Sequence, residues 1–128
     1  MQIVLLKSKI QQLIVSESCE SYPGSISLPQ EIIEAAQLNY FEQVHVNNLT
    51  NGSRILTYVI PGKSKGFVSI NGAASKHFNE GDKIHVLSYS ILSKEEIASH
   101  IPLIVYTDTN NILVSVDVYS IPDNSQLW

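Results

Sequence analysis

The sequence contains little cysteine and little charge. Cys19 is its one cysteine among 128 residues, which excludes an intramolecular disulfide framework and is typical of a protein in a reducing compartment. Charged residues make up 16% of the chain, whereas an average soluble domain has about 25%. Because few charged side chains are available for a solvated surface, we expect part of the surface to be covered by other subunits.

Clusters of basic residues and long apolar runs are also missing. The 8 lysines and arginines are dispersed and the formal net charge is −4, so the chain lacks the grouped cations with which proteins neutralise nucleic-acid phosphates. No apolar run is long enough to cross a bilayer, and residues 1–7 are too short for the apolar part of a signal peptide. The 4 histidines do not have the spacing of a zinc site. We therefore predict a cytoplasmic protein with no nucleic-acid, membrane or metal partner.

The chain instead contains β-type segments joined by tight turns, within one predicted domain that spans residues 1–128. Alternating or β-branched segments predict strands over residues 3–15, 26–28, 43–49, 54–60, 67–70, 83–89, 103–107 and 112–121. Pro29 signals the start of a short helix that should end near residue 38, and residues 93–96 have the capping-box pattern of another helix start. This series predicts a mainly β protein, a small barrel of at least six strands with two or three short helices.

The clearest local signal is Asn51-Gly52, which lies between two β-type segments. Between two such segments, this dipeptide strongly indicates a hairpin. On the second strand of the hairpin, Arg54 and Tyr58 should share one face, and Thr57 should lie on the other. Each of these three side chains has an ordinary structural interpretation, as an exposed arginine, a half-buried tyrosine and a β-branched filler.

Tyr22-Pro23-Gly24-Ser25 places a serine hydroxyl directly after a glycine carbonyl. Gly24 has no Cβ, so it can adopt a positive φ and its carbonyl can be approached from either face. Pro23 fixes its own φ and favours an extended Tyr22. On local grounds alone, an ordinary turn is the more common explanation of this corner.

An ordered set of short motifs gives the corner a second interpretation. The set is Lys9, Tyr22-x-Gly24-Ser25, Thr50-Asn51-Gly52-x-Arg54, Thr57-Tyr58, Asn71-Gly72-Ala73-Ala74 and Gly81-Asp82. None of these motifs is specific by itself, but in order and spacing they resemble the precursor of the pyruvoyl-dependent aspartate 1-decarboxylase family over residues 1 to about 107. The resemblance implies a six-stranded double-psi β-barrel that assembles as a homotetramer, with active sites between subunits.

The resemblance also implies that the precursor cuts its own chain between Gly24 and Ser25. The Ser25 hydroxyl would attack the Gly24 carbonyl, with Thr57 supplying a donor to the oxyanion. The products would be a β-chain of residues 1–24 and an α-chain of residues 25–128 that begins with a covalent pyruvoyl group derived from Ser25. Such an enzyme needs neither PLP nor a metal. Spontaneous cleavage and cleavage helped by an accessory maturation factor both stay open.

In the mature enzyme that the resemblance implies, L-aspartate is converted to CO2 and β-alanine, the precursor for pantothenate. The ketone at position 25 would condense with the substrate amine as a Schiff base, and Tyr58 would return a proton as general acid. Arg54 and Lys9 would bind carboxylate. The other implied substrate contacts come from Thr57, Asn71, Gly72, Ala73 and Ala74, and Tyr22 has a supporting role.

Two features keep other interpretations open. Thr57 and Tyr58 are adjacent, whereas a regular strand directs neighbouring side chains to opposite faces, so a shared site requires a bulge, a strand end or contributions from two subunits. Pro23, Gln11 and Asn47 replace residues that many family members carry. They favour an alternative function, an uncleaved and inactive barrel that acts as a binding or regulatory module. A third hypothesis keeps the enzyme but gives it a related amino diacid as substrate.

Overall fold

The computed structural model describes residues 1–21 and 25–121. Three residues of the predicted corner, Tyr22, Pro23 and Gly24, lie outside the described residues, as do residues 122–128. The geometry of the Gly24 carbonyl and the supporting role of Tyr22 therefore stay predictions. Ser25 is described and directly precedes a strand.

Nine strands and three short helices form along the described residues. In chain order they are β1 (Gln2–Ile14), β2 (Glu17–Cys19), β3 (Ile26–Leu28), α1 (Gln30–Ala35), β4 (Gln43–Asn48), β5 (Arg54–Pro61), β6 (Ser69–Asn71), a 3-10 helix (Gly72–His77), β7 (Lys83–Ser93), α2 (Lys94–Ile97), β8 (Leu103–Thr107) and β9 (Leu113–Val118). All nine strands belong to one sheet with the order β2-β6-β3-β5-β4-β7-β1-β8-β9. The predicted mainly β fold with short helices is confirmed, and the strands outnumber the predicted six. None of the helices in this part of the chain is long and apolar enough to span a membrane.

Alternation along the central strands divides the sheet into a buried inner face and an outer face. On β4, Val44 and Val46 are fully buried. Of the residues beside them, His45 and Asn47 are partly buried and Gln43 is exposed. β7 repeats the pattern with Ile84 and Val86, and β1 adds Ile10 to the same core. Because side chains alternate between the two faces of a strand, the intervening residues of β1, β4 and β7 lie together on the outer face.

β1 is the longest strand and lies between β7 and β8 in the sheet. It pairs antiparallel with β7 along almost its whole length and parallel with β8 over residues 8–11. The next strand in the chain, β2, pairs with β6. The first strands of the protein are therefore hydrogen-bonded to strands that come much later in the sequence.

Helix α1 differs from its predicted bounds at both ends. Pro29 caps the helix rather than occupying its first turn, because its ψ of 141° is extended, while its carbonyl accepts hydrogen bonds from the amides of Ile32 and Ile33. The helix ends at Ala35 rather than near residue 38, because Gln37 has a positive φ of 57°. The capping box at the start of α2 is confirmed.

Three strand predictions shift for reasons of pairing. β7 continues past residue 89 to Ser93, because its ladder with β1 continues to that point. β6 starts at Ser69 rather than at residue 67, since the Phe67 amide donates to the Ser64 carbonyl in a turn. β9 ends at Val118, where its ladder with β8 ends. The small-residue loop predicted after β6 is instead the 3-10 helix.

Candidate active site

An open depression of about 400 Å³ brings together most of the predicted site residues. It is lined by Ser25, Ile55, Leu56, Thr57, Tyr58, Asn71, Gly72, Ala73, Ala74 and His77. Seven of these ten residues were predicted, although they come from three segments that are far apart in the sequence. A hollow of this size admits a small metabolite.

Ser25 is fixed at the edge of the depression by Asn71. The Asn71 amide donates to the Ser25 carbonyl at 2.7 Å, which extends the ladder between β3 and β6. The Asn71 side chain is buried, where it accepts a hydrogen bond from Ser69 Oγ at 2.5 Å and donates to Ser27 Oγ at 3.1 Å. In this structure Asn71 therefore positions the strand that carries Ser25, and its predicted contact with substrate stays a prediction.

Thr57 and Tyr58 both line the depression although they are adjacent on β5. β3 pairs with β5 only over Val59–Pro61, so within the described chain residues 54–58 have a ladder neighbour, β4, on one side only. The depression lies on the other side of this segment, towards Ser25 and Asn71. Side chains from either face of an exposed strand edge can border the same hollow, so the adjacency of the two residues requires no bulge.

The 3-10 helix forms another wall of the depression and begins with very small side chains. Gly72 has a φ of 64°, a conformation that glycine adopts without strain. Ala73 and Ala74 follow it, and each presents a single methyl group. These side chains leave the helix backbone accessible from the depression, which is the property that the predicted backbone contacts with substrate require.

The two predicted carboxylate-binding cations do not line the depression. Arg54 lies at the exposed start of β5, where its Nε donates to Asn47 Oδ1 at 2.8 Å. Lys9 lies on β1, three strands from β5 in the sheet order and so about 14 Å away at ordinary strand spacing. Because Lys9 alternates with the buried residues Ser8 and Ile10, its side chain lies on the outer face.

His85 lies between these two cations on the outer face. In the ladders, His85 is opposite Asn47, and Asn47 is opposite Arg54. Burial lowers the pKa of His85, and the charge of Lys9 lowers it further. At neutral pH the uncharged imidazole is therefore favoured. We call Lys9, Asn47, Arg54 and His85 the cation patch.

The depression and the cation patch offer different chemical groups. The depression presents the hydroxyls of Ser25, Thr57 and Tyr58, which can act as nucleophile, hydrogen-bond donor and acid, but no carboxylate or permanent cation lines it. The patch presents an ammonium and a guanidinium, which suit a carboxylate ligand. No group of three or more His, Cys, Asp or Glu side chains in residues 1–21 and 25–121 is arranged to hold a metal ion.

Comparisons with known proteins decide the family. A family model described as aspartate decarboxylase matches residues 1–114. The chain is 41% identical over 113 residues to the aspartate 1-decarboxylase of Dehalococcoides mccartyi, covering 88% of this chain and 91% of the relative. It is 42% identical over 117 residues to the enzyme of the same name from Caldicellulosiruptor saccharolyticus, covering 91% of each. It is 37% identical over 120 residues to the aspartate 1-decarboxylase of Clostridium kluyveri, covering 93% of this chain and 94% of the relative.

The chain belongs to the aspartate decarboxylase family. The resemblance inferred from the sequence motifs is confirmed, and the double-psi β-barrel is the fold that membership implies.

Two other residues of the family motifs, Asn51 and Asp82, take part in hydrogen bonds beside the site. The side-chain amides of Asn48 and Asn51 both donate to the His77 carbonyl at 3.1 Å, which ties the β4–β5 hairpin to the end of the 3-10 helix. Asp82 is buried and accepts hydrogen bonds from Asn48 Nδ2 at 2.7 Å and from the Asn79 amide at 2.9 Å. The Asn-Gly turn and the Gly-Asp turn are thus joined through the His77 carbonyl and Asn48 by one series of hydrogen bonds.

Sequence reasoning missed four residues that shape this family site. Ser27 lies between two apolar residues of β3 and Ser69 begins β6 between Val68 and Ile70, and a small polar residue in an apolar segment is a signal of a buried hydrogen bond. His77 follows the segment that was predicted to be a loop, and a helical prediction would have included it. His85 shares a face with Asn47 once the β4–β7 pairing is known, and no local signal reveals this.

Proposed function

We propose that this chain decarboxylates L-aspartate to β-alanine and CO2 after converting its own Ser25 into a pyruvoyl group. The observation that carries the proposal is the depression, where Ser25, Thr57 and Tyr58 meet the start of the 3-10 helix. The family motif assigns these positions to the nucleophile of cleavage, the oxyanion donor and the general acid. Family membership supports the carboxy-lyase reaction, and the shared hollow supports the assignment of roles to these residues.

Maturation begins, in this proposal, with attack of the Ser25 hydroxyl on the Gly24 carbonyl. The acyl group moves from the Ser25 nitrogen to its oxygen, and the Thr57 hydroxyl donates to the oxyanion. Loss of the Ser25 α-proton expels the Gly24 carboxylate and leaves dehydroalanine, which water converts to the ketone with release of ammonia. The hydrogen bond of 2.7 Å from the Asn71 amide to the Ser25 carbonyl restricts the reacting residue, and such restriction favours an intramolecular attack.

The residues around Ser25 suit a pyruvoyl group at that position. Gly72 and Ala73 leave room beside it, and a neutral ketone needs no charged partner in its surroundings. When present, the group supplies an electron sink for the carbon that loses CO2. The Tyr58 hydroxyl, on a side chain that is 40% exposed beside the depression, would deliver a proton to that carbon, and the Thr57 hydroxyl would orient the substrate.

We infer that the cation patch of a second subunit completes each active site. L-Aspartate carries two carboxylates, whereas the depression of one chain has no cation in its lining. The outer face near the patch carries apolar side chains, Leu56, Tyr58, Tyr89 and Ile91, that are between 39% and 65% exposed. Apolar surface of this kind often marks contacts between proteins. A homotetramer, as the family resemblance implies, would bring the patch of one subunit against the depression of another.

Within the patch, Arg54 would bind a carboxylate through its terminal nitrogens. Its Nε is engaged by Asn47, and among the described residues no other hydrogen bond to the guanidinium competes with a ligand. A planar guanidinium held at one nitrogen can still bind a carboxylate bidentately. Asn47 thereby orients the guanidinium of Arg54. Lys9 adds a second charge on the same face.

Intact-mass analysis together with a β-alanine assay tests this function. Purified protein should contain fragments of residues 1–24 and 25–128 and should form β-alanine from L-aspartate, whereas Ser25→Ala should remain one uncut chain and form none. Ser64→Ala, an exposed serine outside the depression, is the matched control and should behave as the parent does. An uncut parent chain without β-alanine formation would instead support the binding or regulatory module.

Four finer parts of the proposal have separate tests. Cleavage of freshly purified precursor during incubation would make an accessory maturation factor unnecessary. Competition between aspartate and glutamate decides between L-aspartate and a related amino diacid as substrate. Fractionation of the source cells should place the enzyme in the cytoplasm. Dialysis against a chelator should leave the activity unchanged because no metal takes part, and the purified enzyme should lack the visible absorbance of bound PLP.

A further inference from the structure

Lys9 has an aromatic partner rather than a carboxylate. Its Nζ lies 5.8 Å from the centroid of the Tyr119 ring, within the range of about 6 Å over which a ring attracts a cation. Lys7, two residues earlier on β1, is by contrast paired with Glu42 at 2.8 Å. Within residues 1–21 and 25–121, no carboxylate forms an ion pair with Lys9.

The position of Tyr119 follows from the strand pairing at this edge of the sheet. Lys9 is opposite Ile104 in the β1–β8 ladder, and Ile104 is opposite Asp117 in the β8–β9 ladder. Tyr119 follows Asp117 by two residues, just after the end of β9, and the distance between its ring and Lys9 Nζ places it on the same side of the sheet as Lys9. Its amide donates to the Pro102 carbonyl at 2.8 Å, which holds the backbone in place just after β9.

We propose that Tyr119 is a positioning residue that holds the Lys9 ammonium ready for a substrate carboxylate. A glutamate or aspartate in this place would also hold the ammonium, but it would neutralise the charge and compete with the substrate. An aromatic ring attracts the cation without carrying a net charge, so the ammonium keeps its attraction for an anion. The inference rests on the proposed function, because that function assigns Lys9 to the substrate.

Tyr119 lies beyond residue 114, where the match to the family model ends. The motif of the family therefore assigns it no role, and the contact with Lys9 arises from the segment that follows β9. Tyr119 thereby adds one side chain of this segment to the substrate-binding surface of the chain.

The test compares five variants of the assembled, processed enzyme. Tyr119→Leu should raise the KM for L-aspartate about two- to fivefold, the effect expected for one exposed cation–ring contact, with kcat nearly unchanged. Tyr119→Phe keeps the ring and should restore the parent KM. In a Lys9→Ala background, Tyr119→Leu should raise KM no further. Ile121→Ala, an exposed apolar residue nearby, controls for general disturbance of the segment and should have no effect.

A second readout does not require activity. In the uncleaved Ser25→Ala protein, the Lys9 side-chain protons should show a ring-current shift by NMR that is lost in Tyr119→Leu and retained in Tyr119→Phe. If Lys9→Ala raises KM but Tyr119→Leu leaves both KM and the Lys9 resonances unchanged, the positioning role of Tyr119 is wrong and the proposed function stands. If Lys9→Ala leaves KM unchanged, the assignment of Lys9 in the proposed function fails as well.

Discussion

The depression and the cation patch are built in different ways. Around Ser25 the geometry depends on backbone and buried contacts, with Asn71 bonded to Ser25, Ser27 and Ser69 at once. In the patch, long side chains project from strands and are held by single contacts. Arg54, for example, has one hydrogen bond, from its Nε to Asn47. To break one particular peptide bond, the attacking serine must be held in a fixed position. To attract a carboxylate, a charged side chain needs only to come close enough to it. The two regions should therefore fail in different ways when altered.

The largest effect that separates the regions is expected for Tyr58→Phe. Loss of the hydroxyl removes the proposed acid and should lower kcat by about 10²- to 10⁴-fold, while cleavage at residue 25 proceeds normally. Tyr40→Phe removes the exposed hydroxyl that donates to Gln30, and it serves as the control. The measurement is a steady-state β-alanine assay on fully cleaved protein. An unchanged kcat would exclude Tyr58 as the acid.

Thr57→Val should affect maturation before it affects turnover. The substitution keeps the β-branched shape but removes the donor to the oxyanion, so the first-order rate of cleavage should fall by about 10²- to 10³-fold. The fragments are followed by mass spectrometry from the time of purification. Thr107→Val, which removes a hydroxyl that donates to the Gln12 carbonyl, should cleave at the parent rate. Equal cleavage rates in both variants would contradict the role of Thr57.

Arg54→Ala should leave cleavage intact and weaken substrate binding. Hydrogen bonds to a charged group contribute about 1.5–3 kcal/mol, so the KM for L-aspartate should rise about 10- to 100-fold. Arg54→Lys should recover only part of this loss because an ammonium cannot bind bidentately. A variant that fails to cleave would show that the patch acts on maturation, against the separation of the two regions.

Mixing two damaged subunits tests whether the regions meet between chains. Ser25→Ala retains the patch, and Arg54→Ala retains the depression. If sites form between subunits, random mixed tetramers should regain about a quarter of the parent sites at low aspartate concentration. Each variant alone supplies the control. No recovery in mixed oligomers, with mixing verified by mass, would place the complete site within one chain.

The smallest effect concerns the ion pair of Lys7 and Glu42 near the patch. Burial alone would raise the pKa of Glu42, but hydrogen bonds from Lys7 and Asn39 outweigh it and lower the pKa. Since the folded pKa is below the unfolded one, this stabilisation is complete above the unfolded pKa and is lost as pH falls through the folded pKa. Glu42→Gln should therefore reduce the loss of thermal stability between about pH 5 and pH 3.

Melting temperatures measured across this pH range check the prediction for Glu42. Glu95→Gln, at an exposed glutamate of α2, is the control and should follow the parent curve. Cleavage and kcat should not change in either variant, because neither glutamate belongs to the depression or to the patch. Parallel curves for Glu42→Gln and the parent would mean that the pair contributes no acid-dependent stability.

Local rules predicted the elements whose contacts lie within a few residues. The hairpin at Asn51-Gly52 and the capping box at Ser93 formed as expected, although Gly52 alone of the dipeptide has a positive φ, 81°. The grouping of Ser25 with Thr57 and with the segment after Asn71 came from the family resemblance. No local pattern could supply it, since it depends on β3 pairing with both β5 and β6.

Two details of the site depend on where strands end, which sequence patterns define poorly. The adjacency of Thr57 and Tyr58 suggested a bulge or a second subunit as well as a strand end. Among the described residues, the reason is that β3 is only three residues long and leaves residues 54–58 of β5 with β4 as their one ladder neighbour. Asn71 likewise ends β6, where its buried side chain is hydrogen-bonded to Ser27 and Ser69, and its predicted contact with substrate stays a prediction.

The place of β1 between β7 and β8 has a consequence for a chain that is cut after residue 24. The N-terminal piece would supply an interior strand of the sheet, and both of its hydrogen-bonded neighbours would belong to the other piece. Release of that piece would require two ladders to open together. The two pieces of a cleaved subunit should therefore stay associated and unfold together, because the hydrogen bonds between their strands hold them to each other in place of the broken peptide bond.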